Sequence, residues 1–94
     1  MKAGKIAYGT DMCLEKIKFN KAKILIVAED ASNNTKEKLT RICEEKKIAL
    51  YEYGSKEELS MAIGKANKTV IAILDVNFAK SIKNYLEESK GEIF

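Results

Sequence analysis

Three short apolar runs, separated by segments of helical periodicity, limit what this chain can fold into more than any other feature of its sequence. The runs are residues 24–28, 48–51 and 70–74, and they are rich in β-branched side chains. Apolar runs of this length are typical of strands buried on both faces, because a strand with one exposed face alternates apolar and polar residues. We therefore predict three central strands covered by helices on both sides.

Helical patterns surround these runs, with apolar residues at the three- and four-residue spacing of an amphipathic helix. The segments with this pattern are residues 10–17, 39–43 and 78–86. A further helix is predicted after the second run, where Ser55 and Glu58 form a capping box that satisfies free backbone donors of the first turn. Glycine in the left-handed conformation ends many helices, so we expect this helix to end at Gly64 and the last one at Gly91.

The order of these elements predicts the architecture. Helices and strands alternate as α-β-α-β-α-β-α, which is typical of a mainly parallel sheet between two helical layers. A chain of 94 residues is long enough for one hydrophobic core but not for two. The sequence therefore predicts an α/β protein, a three-layer α/β/α sandwich, with residues 1–94 forming a single domain.

The composition argues against an enzyme, although catalysis by carboxylates or lysine remains open. The chain contains no histidine, so the commonest general base at neutral pH is missing. Cys13 and Cys43 lie among apolar helical positions, and two cysteines without histidine cannot complete the four ligands of a structural zinc site. We expect reduced core cysteines, no catalytic residue, no metal and no cofactor.

The sequence also bears on location. Residues 1–5 carry charge but have no apolar signal core behind them. No apolar run approaches the roughly 20 residues that a membrane span needs. We therefore expect a cytoplasmic protein that is neither exported nor bound to a membrane.

The excess positive charge is concentrated near the start of the chain. The net charge is +3, and residues 1–23 hold six lysines against two acids, whereas the remainder holds eleven basic and twelve acidic residues. A lysine cluster of this kind is typical of a surface that binds a polyanion. A solvated helix surface explains the same cluster equally well on charge alone.

A first candidate site lies at the start of the first predicted helix. Gly9, Thr10 and Asp11 would present free amides and the positive end of the helix dipole, which attract anions, with Lys16 close in sequence. The alternative is that Thr10 or Asp11 simply caps the helix.

Acids at predicted strand ends form a second candidate site. Glu29 and Asp30 follow the first apolar run, and Asp75 follows the third. If the strands were parallel, these carboxylates would meet at one edge and could hold Mg²⁺, as in a phosphoacceptor receiver domain. Such domains are longer and carry a lysine after a late strand, so the favoured alternative is that these acids lie at helix starts.

The third candidate site is the segment 64–68, which is rich in hydrogen-bond donors. It would follow phosphate groups, or form a plain turn with exposed lysines. Binding of nucleic acid by stacking would also need exposed aromatic rings. The candidates for that role are Tyr8, Phe19, Tyr51 and Tyr53.

Several of these segments, taken in order, resemble the ribosomal-protein superfamily of the seven-Ae, thirty-e and twelve-e types, and in particular its bacterial YlxQ-like branch. The matching segments are residues 9–10, 21–32, 34–36, 54–59 and 62–65. The resemblance implies a four-stranded mixed sheet between helices. It also implies non-enzymatic binding to kink-turn or related structured RNA, including ribosomal RNA, on or near the ribosome. The alternative on the same scaffold is a protein–protein interaction module.

The resemblance further implies where RNA would bind. The implied contact residues are Gly9, Thr10, Asp11, Lys16, Glu29, Asp30, Lys36, Gly64, Lys65 and Lys68. In the archaeal members a Gly-x-Asn-Glu-x-x-Lys motif reads sheared G·A pairs. Here Met12 replaces the glutamate and Glu15 replaces the lysine, while Lys16 stands one position further on. These departures predict weaker and less selective kink-turn binding than in the archaeal relatives.

Overall fold

A computed structural model describes residues 5–90, with side chains through Glu88, as strands and helices in alternation. The strands are β1 (Ile6–Tyr8), β2 (Ile24–Val27), β3 (Ala49–Glu52) and β4 (Val70–Ile73). The helices are α1 (Thr10–Lys18), α2 (Asn33–Lys46), α3 (Lys56–Ala62) and α4 (Val76–Lys90). Within this range, no helix is both long enough and apolar enough to cross a membrane. The predicted helix end at Gly91 lies outside the described residues.

The three predicted strands and the four predicted helices are present, and the predicted caps are confirmed where they are described. Ser55 and Glu58 form the capping box of α3 in both directions. Gly64 has φ +70° and follows the end of α3, as the sequence predicted. The periodicity did not show β1, because three residues are too few to establish a pattern. This strand exists through its pairing with β4 along its whole length.

The prediction of a mainly parallel sheet from the alternation of elements is wrong. The strand order is β1-β4-β2-β3, and β2 and β3 form the one parallel pair, because β4 runs antiparallel to both β1 and β2. A parallel crossover must carry the chain back along the whole sheet. The connection between β3 and β4, residues 53–69, instead begins and ends at the same edge of the sheet, so β4 enters the sheet reversed. The mixed sheet implied by the resemblance is confirmed.

Both faces of the sheet are covered, which confirms the three-layer sandwich. Leu25 and Val27 face the layer of α1 and α2, and Ile24 and Ile26 face the layer of α3 and α4. All four side chains are buried, which explains the continuous apolar run. Burial of each such side chain contributes about 1.5–3 kcal/mol to folding, so the two layers hold β2 at the centre of the molecule.

Cys13 and Cys43 are free, buried cysteines between the sheet and the layer of α1 and α2. Burial raises the pKa of the Cys13 thiol to about 12 and the pKa of the Cys43 thiol to about 11, from an ordinary value of 9.0. Both thiols therefore remain protonated at neutral pH and pack as small apolar groups. The prediction of reduced core cysteines agrees with this placement.

We expect both thiols to react slowly with iodoacetamide in the native protein and rapidly in urea, because the thiolate is the nucleophile.

The raised pKa values of the two thiols also predict how the stability of the protein depends on pH. The folded state holds these protons more tightly, so the stability present at neutral pH is lost as the pH rises above 9.0 towards the folded values. Urea denaturation at increasing pH measures this decline. The Cys43→Ala variant should show a smaller decline, and an equal decline in both proteins would contradict this explanation.

Candidate functional site

The ends of β1, β2 and β3 lie at the same edge of the sheet as the start of β4, so the loops attached there come together. Tyr8 at the end of β1 pairs with Ile71, and Val27 at the end of β2 pairs with Val70. Because β4 runs antiparallel to both strands, its start lies beside their ends. We call this end of the molecule the loop edge, and it comprises residues 9–12, 28–36, 53–56 and 63–69.

Helix α1 begins at the loop edge without a side-chain cap. Gly9 is the N-cap residue, with φ 90° and ψ 147°, and within residues 5–88 no side chain accepts a hydrogen bond from the first turn. The Gly9 amide donates to the Val70 carbonyl at 3.0 Å, which ties the helix start to β4. The alternative in which Thr10 or Asp11 caps the helix is therefore wrong, and the free amides of the first turn can receive an anion.

The conformation of Gly9 matters as much as its lack of a side chain. Its φ and ψ lie close to a region of backbone space that is essentially restricted to glycine. A Cβ atom built on Gly9 would meet only the Lys68 ammonium, at 3.9 Å. Space is therefore available, but any other residue would strain the start of α1 by about 1–3 kcal/mol.

Residues 67–69, just before β4, form one wall of a cavity over the start of α1. The cavity has a volume of about 370 Å³. Its lining residues are Tyr8, Gly9, Thr10, Asp11, Met12, Asn67, Lys68 and Thr69. The first and third predicted sites, which are more than 50 residues apart in sequence, therefore form one surface. This surface joins a lysine ammonium to the uncapped amides of α1.

Tyr8 holds two lysines at this cavity. The Lys65 ammonium lies 5.2 Å from the centre of the Tyr8 ring, and the Lys68 ammonium lies 5.6 Å from it. Cation–π contacts at exposed positions contribute about 0.5–1 kcal/mol each. The sequence indicated Tyr8 only as a candidate for base stacking, whereas the structure uses its ring to position two positive charges at one place.

Ser60 fixes the backbone of the same segment, and sequence reasoning missed it. Its hydroxyl accepts a hydrogen bond from the Lys68 amide at 2.8 Å and donates one to the Lys68 carbonyl at 3.2 Å. Ser60 is the one buried polar residue in the described part of the chain. The available signal was a serine in a short helix next to Leu59 and close to Ile63, the C-cap of that helix, because a buried hydroxyl needs a partner.

The Ser60→Ala variant should lose about 1–2 kcal/mol of unfolding free energy, because the amide and carbonyl of Lys68 lose their partner. Hydrogen exchange at the Lys68 amide should also become faster. The Ser55→Ala variant is the control, since it removes a cap of α3 worth about 1 kcal/mol without touching Lys68. Equal exchange rates at Lys68 in the two variants would show that Ser60 does not hold this segment.

The loop after β2 also lies at the loop edge. There Asp30 and Lys36, which were predicted to contact RNA, make contacts to other segments of the protein. An Asp30 carboxylate oxygen accepts a hydrogen bond from the Lys56 amide at 2.8 Å, at the start of α3. The Lys36 ammonium lies 2.9 Å from a Glu52 carboxylate oxygen and also donates to the Glu29 carbonyl. These contacts give Asp30 and Lys36 a structural role at the loop edge.

Lys16 does not lie at the loop edge. It belongs to the last turn of α1, about 9 Å along the helix axis from Thr10 at a rise of roughly 1.5 Å per residue. The structure therefore separates Lys16 from the cavity that Gly9 and Lys68 share.

The magnesium hypothesis is wrong for a topological reason. It required Glu29, Asp30 and Asp75 to meet at one edge, but β4 is antiparallel to β2, so Asp75 lies at the opposite edge. There an Asp75 carboxylate oxygen accepts a hydrogen bond from the Phe78 amide at 2.8 Å and caps the first turn of α4. Among the residues that the structure describes, no three acidic or cysteine side chains are placed to hold a metal ion.

The remaining aromatic candidates lie away from the cavity. The Tyr51 hydroxyl donates to a Glu87 carboxylate oxygen at 2.9 Å, and burial together with this carboxylate raises the pKa of Tyr51 to about 12. The Tyr53 ring packs edge-on against Tyr85, with 6.1 Å between ring centres. Both tyrosines therefore attach α4 to the sheet, whereas Phe19 is 58% exposed at the far end of α1.

Comparison with known proteins gives a consistent result. A model of the family described as ribosomal protein L7Ae/L30e/S12e/Gadd45 matches residues 1–83. The chain is 39% identical over 87 residues to the RNA-binding protein YlxQ of Enterococcus faecium, covering 93% of this chain and 84% of that protein. It is 33% identical over 86 residues to the RNA-binding protein YlxQ of Bacillus subtilis, covering 92% of this chain and 86% of that protein.

A more distant relative and a solved structure extend this comparison. The large ribosomal subunit protein eL8 of Picrophilus torridus is 28% identical over 95 residues, covering 96% of this chain and 75% of that protein. A protein of unknown function from Bacillus halodurans has the same fold, with a TM-score of 0.86 and 25% identity, covering 90% of this chain and 86% of that one.

Proposed function

Because the chain belongs to the ribosomal protein L7Ae/L30e/S12e/Gadd45 family, as the resemblance predicted, we propose that it binds structured RNA through the loop edge and without catalysis. Two similar bacterial proteins are named for RNA binding, and one archaeal relative is a ribosomal protein. We propose an RNA of the kink-turn type or a ribosomal RNA, in the cytoplasm and in association with the ribosome. The whole chain, residues 1–94, acts as one binding domain.

The observation that carries this proposal is the cavity where two loops of the loop edge meet. The start of α1 supplies free amides and the positive end of its dipole. Lys65 and Lys68, held by Tyr8, supply two ammonium groups at the same place. Such a combination suits phosphate oxygens, which accept hydrogen bonds and carry negative charge.

The proposed contacts follow from this geometry and from the resemblance. Residues at the cavity and its rim would contact the RNA directly, and those at the exit of β2 would extend the surface. The proposed contact residues are Gly9, Thr10, Asp11, Lys16, Glu29, Asp30, Lys36, Gly64, Lys65 and Lys68. Lys16 would be reached only by RNA that follows α1 away from the cavity.

Recognition through this surface would depend on phosphates and shape more than on bases. Met12 lines the cavity and is 49% exposed, at the position where the archaeal motif has a glutamate. A thioether offers no comparable hydrogen bond to a base edge. Phosphate contacts position an RNA, whereas base contacts discriminate among sequences, so we propose modest selectivity.

The test is a titration of the purified protein with a kink-turn RNA and with the same RNA lacking its tandem G·A pairs, at several salt concentrations. We expect binding to weaken with salt, with a slope of about 0.7–0.9 in log affinity against log salt for each phosphate neutralised. Failure to bind either RNA, or binding that ignores salt, would overturn the proposal. Either outcome would favour the protein-interaction module as the alternative.

A further inference from the structure

A second positively charged surface lies on the sheet edge opposite the loop edge, where β1, β2 and β3 begin. Each of these strands follows a lysine. Lys5 immediately precedes β1, Lys23 immediately precedes β2, and Lys47 lies two residues before β3. The ends of α1 and α2 add further lysines beside these three. We call the resulting surface the lysine edge. Its members are Lys5, Lys18, Lys21, Lys23, Lys46 and Lys47.

The backbone holds these lysines in a row. The Lys23 amide donates to the Ile73 carbonyl at 2.7 Å, and the Leu74 amide donates to the Lys5 carbonyl at 2.7 Å. Lys5 and Lys23 therefore flank the end of β4, and two strand spacings of roughly 4.8 Å separate their backbones by about 10 Å. Because β3 lies beyond β2, Lys47 continues the row by about one further strand spacing.

The end of α1 adds two more lysines and an aromatic side chain. The Lys21 amide donates to the Lys16 carbonyl at 2.8 Å, which folds the chain after α1 against its last turn. Lys18 and Lys21 are exposed there, with exposed Phe19 between them. The negative end of the α1 dipole favours cations at this place, and the ring of Phe19 can stack on an exposed base.

The charge of the lysine edge is not neutralised within the described residues. All six lysines are exposed, and none of them forms an ion pair with a carboxylate in the range 5–88. The acids near these lysines are Glu15, three residues before Lys18 in α1, Asp75, which caps α4, and Glu44 and Glu45 in the last turns of α2. Six ammonium groups therefore outnumber the acids at this edge.

We propose that the lysine edge is a second RNA-binding surface, which contacts the phosphate backbone of a paired RNA segment without reading its sequence. The inference rests on the proposed function for the identity of the polyanion. Four-residue strands separate the lysine edge from the loop edge by roughly 13 Å of sheet. The two surfaces therefore hold separate RNA segments, and the protein joins them.

The chemistry of this edge favours RNA over a lipid surface. Insertion into a bilayer interface needs a continuous apolar face. Of the exposed large apolar side chains in the described part of the chain, only Phe19 and Val76 lie at this end of the molecule. A row of ammonium groups with one aromatic ring instead matches a row of phosphates beside an exposed base.

The test compares two triple variants with the same change in net charge. The first is Lys18→Glu, Lys21→Glu and Lys23→Glu, on the lysine edge. The control is Lys38→Glu, Arg41→Glu and Lys83→Glu, on the outer faces of α2 and α4. The probes are a perfectly paired RNA duplex and a kink-turn RNA.

We expect the lysine-edge variant to bind the duplex at least about tenfold more weakly than the control, with a salt slope smaller by about 2. Kink-turn binding should be the same in both variants. Equal duplex binding by the two variants would overturn the inference and leave the proposed function standing. If the natural protein binds the duplex through the lysine edge but binds no kink-turn, the proposed function fails instead.

Vesicles of anionic lipid are the third probe. If the lysine-edge variant loses vesicle binding but not duplex binding, the inference is also overturned.

Discussion

Replacement of Lys65 and Lys68 together by alanine should weaken the binding of structured RNA by about 10- to 100-fold at physiological salt. Both ammonium groups lie within 6 Å of the Tyr8 ring centre, beside the start of α1. They would contact the phosphates that the uncapped amides also receive. Loss of two such contacts should reduce the slope of log affinity against log salt by about 1.4–1.8.

The control is Lys38→Ala with Lys83→Ala, which removes two exposed lysines from the middle of α2 and of α4. It changes the net charge equally but leaves the loop edge intact. The Lys65, Lys68 variant should lose about 1–2 kcal/mol of unfolding free energy with its two cation–π contacts and remain folded, since the hydrogen bond that holds Lys68 uses its backbone, whereas the control should unfold almost as the natural protein does. An equal loss of RNA affinity in the two double variants would mean that only the net charge matters. The cavity at α1 would then not be the binding site.

The Met12→Glu, Glu15→Lys double variant should gain selectivity for a kink-turn RNA over the same RNA without its tandem G·A pairs. A side chain that reads a base edge contributes about 1–3 kcal/mol of discrimination, so we expect selectivity to rise by about 10- to 100-fold. Both positions lie on α1 and are exposed, and glutamate and lysine are good helix formers. The fold should therefore tolerate the change.

The measurement is a titration of the natural protein and the double variant against both RNAs at one salt concentration. The Glu15→Lys single variant is the matched control, because it adds positive charge without adding a group at Met12 that can accept a hydrogen bond from a base. It should bind both RNAs more tightly to the same degree. If the natural protein already discriminates strongly between the two RNAs, then Met12 and Glu15 do not limit recognition. Asp11 is then the residue to test.

Gly9 shows why a variant that looks simple in sequence is a poor test of RNA contact. The absence of a side chain suggests that RNA approaches the backbone closely. The backbone of Gly9 also has φ 90° and ψ 147°, so that any larger residue strains the start of α1 before RNA is present. Weaker binding by a Gly9 variant would combine both effects, whereas Lys65, Lys68 and Met12 carry no such strain, since their φ angles are not positive.

The sequence by itself determined the local elements and the layers. Residues 24–27 are apolar on both faces of a strand, which requires cover on each side, and the helical periodicity of the flanking segments makes that cover helical. Ser55 and Glu58 satisfy each other's backbone donors within one turn, so the start of α3 needs no distant partner. Interactions of this kind involve neighbouring residues, and their energies can be read from spacing and residue type.

Only the tertiary structure decided the direction of β4 and the existence of β1. Both depend on pairing between residues about 65 positions apart, such as Ile6 with Ile73, and backbone hydrogen bonds of this kind leave no trace in residue type. The direction of β4 then placed Asp75 away from Asp30. It also brought Lys68 to Gly9 at the loop edge.

The lysines near the start of the chain show the same division. Their excess of positive charge is a property of the sequence, and it holds in any fold. Helix α1 runs from one edge of the sheet to the other, however, so that Gly9 lies at the loop edge and Lys18 at the lysine edge. The lysines at and after the end of α1 are thereby held away from the cavity by the length of a helix, and they lie with Lys5 at the lysine edge. The positive charge that reaches the cavity comes instead from Lys65 and Lys68, because the antiparallel β4 begins beside the end of β1.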